Sequence, residues 1–119
     1  MKKKISDKQF IQAYRSAGLW FVALYMEAFI LRYDELQDDI KKIYITSEIY
    51  NNGNGPDKDE GGTRTRVNSL LRIIDSGRII EALEVAANSS RLKSDFPNAV
   101  KTAVELLSRI SSGELVLPE

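Results

Sequence analysis

The 119-residue chain contains no histidine and no cysteine. The lack of cysteine excludes disulfides and thiolate chemistry and fits a reducing cytosol. The lack of histidine excludes Ser-His and Cys-His pairs, His-liganded zinc and an imidazole base near neutral pH. An enzyme made of this chain would have to work with carboxylates, lysines, tyrosines or a hard metal ion, so the reading leans against an enzyme and expects no cofactor. Net charge is missing as well. Seventeen basic residues balance seventeen acidic ones, and no whole-molecule field draws the chain to nucleic acid or to an anionic membrane. There is also no long apolar run. The best candidate, Ala17 to Leu31, is fifteen residues with Glu27 inside, against the roughly 20 that a spanning helix needs. Polar "SDKQ" separates it from the N-terminal lysines, and no small-residue cleavage pattern follows. These features imply a soluble, cytoplasmic chain that makes no use of a membrane.

About 43% of the residues are apolar, enough for one core in one domain spanning 1–119. Charge is distributed in blocks: +4 over residues 1–32, −5 over 33–62 and +1 over 63–119. Such blocks attract one another within a fold or face different partners.

Helical periodicity dominates. Ser6 and Gln9 make an S-x-x-Q capping box. Phe10, Tyr14 and Ala17 follow at helical spacing, and Gly18 predicts a bend or a close helix contact. Every residue from Leu19 to Met26 is apolar, which predicts a helix surrounded by others, with Trp20, Phe21, Tyr25 and Phe29 as the aromatic centre. The stretch 36–50 includes strand-like "KIYITSEIY", yet Leu36, Ile40, Ile43, Ser47 and Tyr50 repeat at helical intervals behind acidic residues, and a helix is expected. Val67, Leu70, Leu71 and Ile74 mark a helix, and Ile79, Ile80, Leu83 and Ala87 another, with Gly77 between them. A last helix is expected with Asp95 as its cap, Pro97 in its first turn, and Val100, Val104, Leu107 and Ile110 facing inward. The fold class is therefore all-α, a bundle of four or five helices around the apolar N-terminal helix.

"NNGNGPDKDEGGTRTR" at 51–66 holds four of the chain's seven glycines. Residues 51–62 are expected to form a flexible loop, with helix resuming at Thr63 or Thr65 as N-cap. The loop is no EF-hand: position 12 would be Asn68 where a bidentate glutamate is required. It is no P-loop either, since no lysine follows Gly62. The segment Gly62, Thr63, Arg64, Thr65 and Arg66, entered from Gly61, is the anion-binding candidate, because free N–H groups, hydroxyls and guanidinium groups suit an anion at a helix N-terminus. The competing assignment pairs Arg64 and Arg66 with Asp57, Asp59 or Glu60. No metal site is assigned; those three carboxylates are the weak candidates.

Two other patterns fall short. Asp39-Ile40-Lys41 with a later Pro56-Asp57 has nuclease-like residues in the reverse order. Residues 67–87 suit a helix-turn-helix in length, but the second helix offers only Arg78 to a base or phosphate. Two functions remain. The first is a small helical interaction or regulatory module without catalysis, bound to a protein partner or to itself, with a homodimer through apolar surface left on the first two helices. The alternative is a nucleic-acid- or nucleotide-related protein, including a metal-dependent nuclease fragment, that binds anions at Gly61–Arg66.

Overall fold

The computed structural model describes residues 4–52 and 57–118. Among these there are eight helical segments and no strand: α1 (Asp7–Ala17), α2 (Leu19–Leu31), α3 (Tyr33–Leu36), α4 (Asp39–Asn52), α5 (Glu60–Asp75), α6 (Ile79–Ala87), α7 (Ser90–Asp95) and α8 (Pro97–Ser111). The number exceeds the expected four or five for local reasons. Gly18 divides the first helical stretch, and two short segments, α3 and α7, turn the corners. None of the helices is long and apolar enough to cross a membrane.

The capping box forms as the sequence implies. Ser6 Oγ accepts from Gln9 N at 3.1 Å, and Gln9 Oε1 accepts from Ser6 N at 2.9 Å. At Gly18 the backbone takes φ +87°, a conformation that strains any residue with a Cβ, so α1 ends there rather than merely bending. The region 36–50 contains no strand: Leu36 ends α3, residues 37 and 38 turn, and the rest lies in α4.

Helix α2 packs against α1, α3, α5, α6 and α8. Phe21, Val22, Ala23, Met26 and Phe29 are buried, each large side chain contributing roughly 1.5–3 kcal/mol on leaving water. The expectation of burial on every side is corrected in two places. Trp20 and Tyr25 are only partly buried at the rim of the core. Leu24, Ala28 and Leu31, at i, i+4 and i+7, form a seam open to solvent.

On α8, Val100, Leu107 and Ile110 pack partly buried against the core as expected, but Val104 does not. In α8 the buried residues are Ala99, Ala103 and Leu106, while Val104 is 53% exposed. Helix α6, its main neighbour, buries Ala82 and Ala86. Small buried side chains on both helices favour close approach. Asp95 is no cap: Phe96 stands at the N-cap of α8 and no side chain caps it. In α4 the buried residues are Ile45 and Thr46, and Ile40 and Ile43 face outward. The C-terminal segment packs, with Leu115 buried and its N–H bonded to Arg109 O at 3.0 Å.

Arginines tie distant segments together. Arg78 lies over the Phe10 ring at 4.1 Å and pairs with Asp7 at 2.9 Å and Glu81 at 2.6 Å. Arg109 joins α8 to Glu27 of α2 at 2.7 Å and also holds Glu114. The Tyr33 hydroxyl donates to Asp75, fastening α3 to α5.

That last bond makes stability depend on alkaline pH. The Tyr33 phenol is pushed up from 10.0 to about 12, first by its hydrogen bond to Asp75, then by burial and by the charges of Asp75 and Asp34. A raised phenol value means the neutral form is favoured in the fold. Its contribution is complete below the ordinary phenol value and disappears as pH climbs from about 10 through about 12. Urea midpoints measured at pH near 9 and near 11.5 should fall more steeply for the wild type than for Tyr33→Phe. Parallel decline of the two proteins would exclude this linkage.

Candidate functional site

The segment 57–66 is an anchor built from its own charges. Helix α5 starts at Glu60, with Asp59 as N-cap, its Oδ1 accepting from Gly62 N at 3.1 Å. This corrects the expected start at Thr63 or Thr65. The cap satisfies an otherwise free donor, and Glu60 suits the positive end of the helix dipole; together they outweigh the poor helix propensity of Gly61 and Gly62. The expected flexible loop over 51–62 is corrected at both ends. Residues 51 and 52 close α4, residues 60–62 open α5, and Asp57 is fixed between them. Gly53, Asn54, Gly55 and Pro56 lie outside the described residues.

Asp57 organises the anchor. Its carboxylate accepts from Arg66 Nε, with both oxygens at 3.1 Å, and from Thr63 Oγ1 at 3.0 Å. The Asp57 and Arg66 side chains are only 14% and 17% exposed. Arg66 reaches further: Nη1 donates to Ala17 O, the last carbonyl of α1, at 2.7 Å, and the guanidinium lies over the Trp20 ring at 5.2 Å. Thr65 Oγ1 donates back to Gly61 O at 3.1 Å. The paired glycines have a packing reason. A Cβ on Gly62 would lie 3.0 Å from Asp57 Oδ1, and one on Gly61 would lie 3.1 Å from Asp59 Oδ1.

Of the five anion-binding candidates, Gly62, Thr63 and Arg66 thus give donors to Asp59 or Asp57, and Thr65 gives its hydroxyl to Gly61 O. Only Arg64 turns to solvent with no ion-pair partner among the described residues. The weak metal candidates diverge too: Asp57 faces Arg66, Asp59 caps α5, and Glu60 Oε1 accepts from Ser47 Oγ at 2.8 Å. No group of three or more possible ligands converges among the described residues.

Arg64 borders an exposed apolar surface on α4. On α4, Ile40, Ile43 and Tyr44 are 66%, 60% and 72% exposed. They stand at i, i+3 and i+4 and form one apolar stripe. Beside it runs a groove of about 280 Å³ between α4 and α5, lined by Ile43, Thr46, Lys42, Glu60, Arg64 and Asn68. Lys42 Nζ donates to Asn68 Oδ1 at 3.0 Å across it. The arrangement is an apolar centre with a charged and amide rim. Tyr44 was no sequence candidate; its place beside Ile43 on one helical face was the available signal.

No protein-family model matches the chain, nor does any curated protein or solved structure at the level of significance applied.

The two arginines should therefore separate cleanly. Arg66→Ala removes a largely buried ion pair and the donor to Ala17 O, for an expected loss of about 2–4 kcal/mol. Arg64→Ala should stay within about 0.5 kcal/mol. Chemical denaturation of both variants is the check, and equal effects would contradict the anchor assignment.

Proposed function

We propose that the chain is a non-catalytic interaction module that binds a protein partner through the outer face of α4 and the adjoining α4–α5 groove. The observation that carries this reading is the exposure of Ile40, Ile43 and Tyr44 as one continuous helical stripe. Single exposed apolar residues need no explanation, whereas a contiguous patch rimmed by polar groups marks interaction surfaces. An aromatic at the centre and arginine at the edge match the composition of binding hot spots. A groove between two helices beside an apolar stripe suits an amphipathic helix laid along it, anchored at i, i+3 and i+4. The occupant proposed is such a helix on another protein. A second copy of this chain, meeting the open Leu24–Ala28–Leu31 seam of α2, is the competing arrangement.

A polyanion reading has one observation of its own. Arg64, Asn68 and Arg72 stand at i, i+4 and i+8 on the solvent side of α5, and a row of this kind suits phosphates. It is narrower support than the α4 stripe, because Asp75, Glu60 and Asp39 lie close to that row or to the grooves beside it.

The test is a tagged capture comparing wild type with Ile43→Glu and Tyr44→Ala, alongside light scattering and an oligonucleotide titration. A protein held by wild type and lost from both variants is expected, with unfolding free energies within about 0.5 kcal/mol of wild type, since the sites are exposed. A dimer mass abolished by Leu31→Glu and unchanged by Ile43→Glu would move the interface to α2. Salt-dependent oligonucleotide binding lost in Arg64→Ala would replace the reading with the polyanion one.

A further inference from the structure

The α5 side of the α4 stripe carries a charge pattern of its own. The groove holding Ile43 and Thr46 and a larger one of about 910 Å³, holding Leu36 and Leu71, share Lys42 and Asn68 in their walls. Together they make one trough, bridged by the 3.0 Å bond from Lys42 Nζ to Asn68 Oδ1. The two helices run antiparallel along it, since Ser47 meets Glu60 and Lys42 meets Asn68. The trough follows the 16 residues of α5, roughly 22 Å or about four helical turns.

Its acids and its cations differ in what they meet. Glu60 accepts from Ser47 Oγ at 2.8 Å, and Asp75 accepts from the Tyr33 hydroxyl. The third carboxylate, Asp39, stands at the start of α4. Lys42, Arg64 and Arg72 enter no ion pair among the described residues. Arg64, Asn68 and Arg72 recur every fourth residue, which sets the two arginines about 12 Å apart along α5. Asn68 holds the Lys42 ammonium between them. The opposite edge of the stripe has Lys41 and Glu48, one charge of each sign. The apolar stripe is thus bordered by unpaired cations on one side.

We infer that the partner helix is acidic along one edge, with carboxylates at i, i+4 and i+8 facing Arg64, Lys42 and Arg72. Its apolar residues form the adjoining stripe and meet Ile40, Ile43 and Tyr44. This chemistry rests on the docking face proposed above and adds the partner's charge to it. Carboxylates on a helix match the trough better than a phosphate chain does. Glu60, Asp39 and Asp75 keep their charge, and a continuous row of phosphates would run past all three. A helix places its carboxylates only where the cations stand, and such complementary pairs set register and partner choice.

The probe is a fluorescently labelled synthetic helix of about four turns, with leucines at i, i+3, i+4 and i+7 and glutamates on the adjoining edge. Two controls keep the leucines and carry glutamine or lysine in place of glutamate. Anisotropy titrations with the full chain should show the glutamate peptide binding about tenfold more tightly than the glutamine peptide, with the lysine peptide weakest. The preference should shrink with added salt. Arg64→Gln should weaken the glutamate peptide several-fold and leave the glutamine peptide unchanged. The doubly reversed chain, Arg64→Glu with Arg72→Glu, should prefer the lysine peptide; both positions are exposed, so the fold is kept. Equal binding of the glutamate and glutamine peptides, lost in Ile43→Glu, overturns the acidic partner and leaves the docking face standing. No binding of any peptide into the millimolar range, or binding indifferent to Ile43→Glu, overturns both. A single-stranded oligonucleotide bound more tightly than the glutamate peptide, and weakened by Arg64→Gln, replaces the acidic helix with a polyanion.

Discussion

The Asp57–Arg66 pair is the constraint on which the corner of the molecule depends. One guanidinium receives a carboxylate from the segment before α5, donates to the last carbonyl of α1, and covers the ring that opens α2. Two stretches of chain far apart in sequence, 17–20 and 57–66, meet at one side chain. Burial makes the arrangement exacting. A charge withdrawn this far from water is tolerable only because each partner is in place. Gly18 follows from the same constraint. A Cβ there would lie 2.8 Å from Arg66 Nη1 in a backbone conformation that already requires glycine. Gly62 is required for the approach of Asp57. Gly61 and Gly62, which looked like flexibility, are therefore clearance for charged groups.

Local chemistry was legible and long-range chemistry was not. The Ser6–Gln9 box, the breaks near Gly18 and Gly77, and the helical character of every apolar segment follow from neighbours within four residues. The Asp59 cap is equally local, but two glycines behind it disguised a helix start as a loop. Arg66 and Asp57 could be paired on paper. The reach of Arg66 to Ala17 could not, because it joins residues 49 positions apart.

The errors of facing are more instructive. On α4 the periodic stripe through Ile40 and Ile43 is real, yet it faces outward, and Ile45 and Thr46 are buried. Periodicity shows that a helix has an apolar face; it does not say whose surface covers that face. On α8 the expected Val100, Leu107 and Ile110 pack against the core, but the most buried positions are Ala99, Ala103 and Leu106, and Val104 faces out.

The packing of later helices against α2 has a consequence for how the chain is made. This helix is complete at residue 31, but α5, α6 and α8, which cover much of it, end at residues 75, 87 and 111. At a synthesis rate of about 5–20 residues per second, the most apolar stretch of the chain waits roughly 4–16 s for its last covering helix to be made. Throughout that interval Phe21, Val22 and Met26 are a sticky surface on a nascent chain. The order of elements along the sequence, more than the stability of the finished fold, then sets how exposed this protein is to aggregation and to chaperone capture at the ribosome.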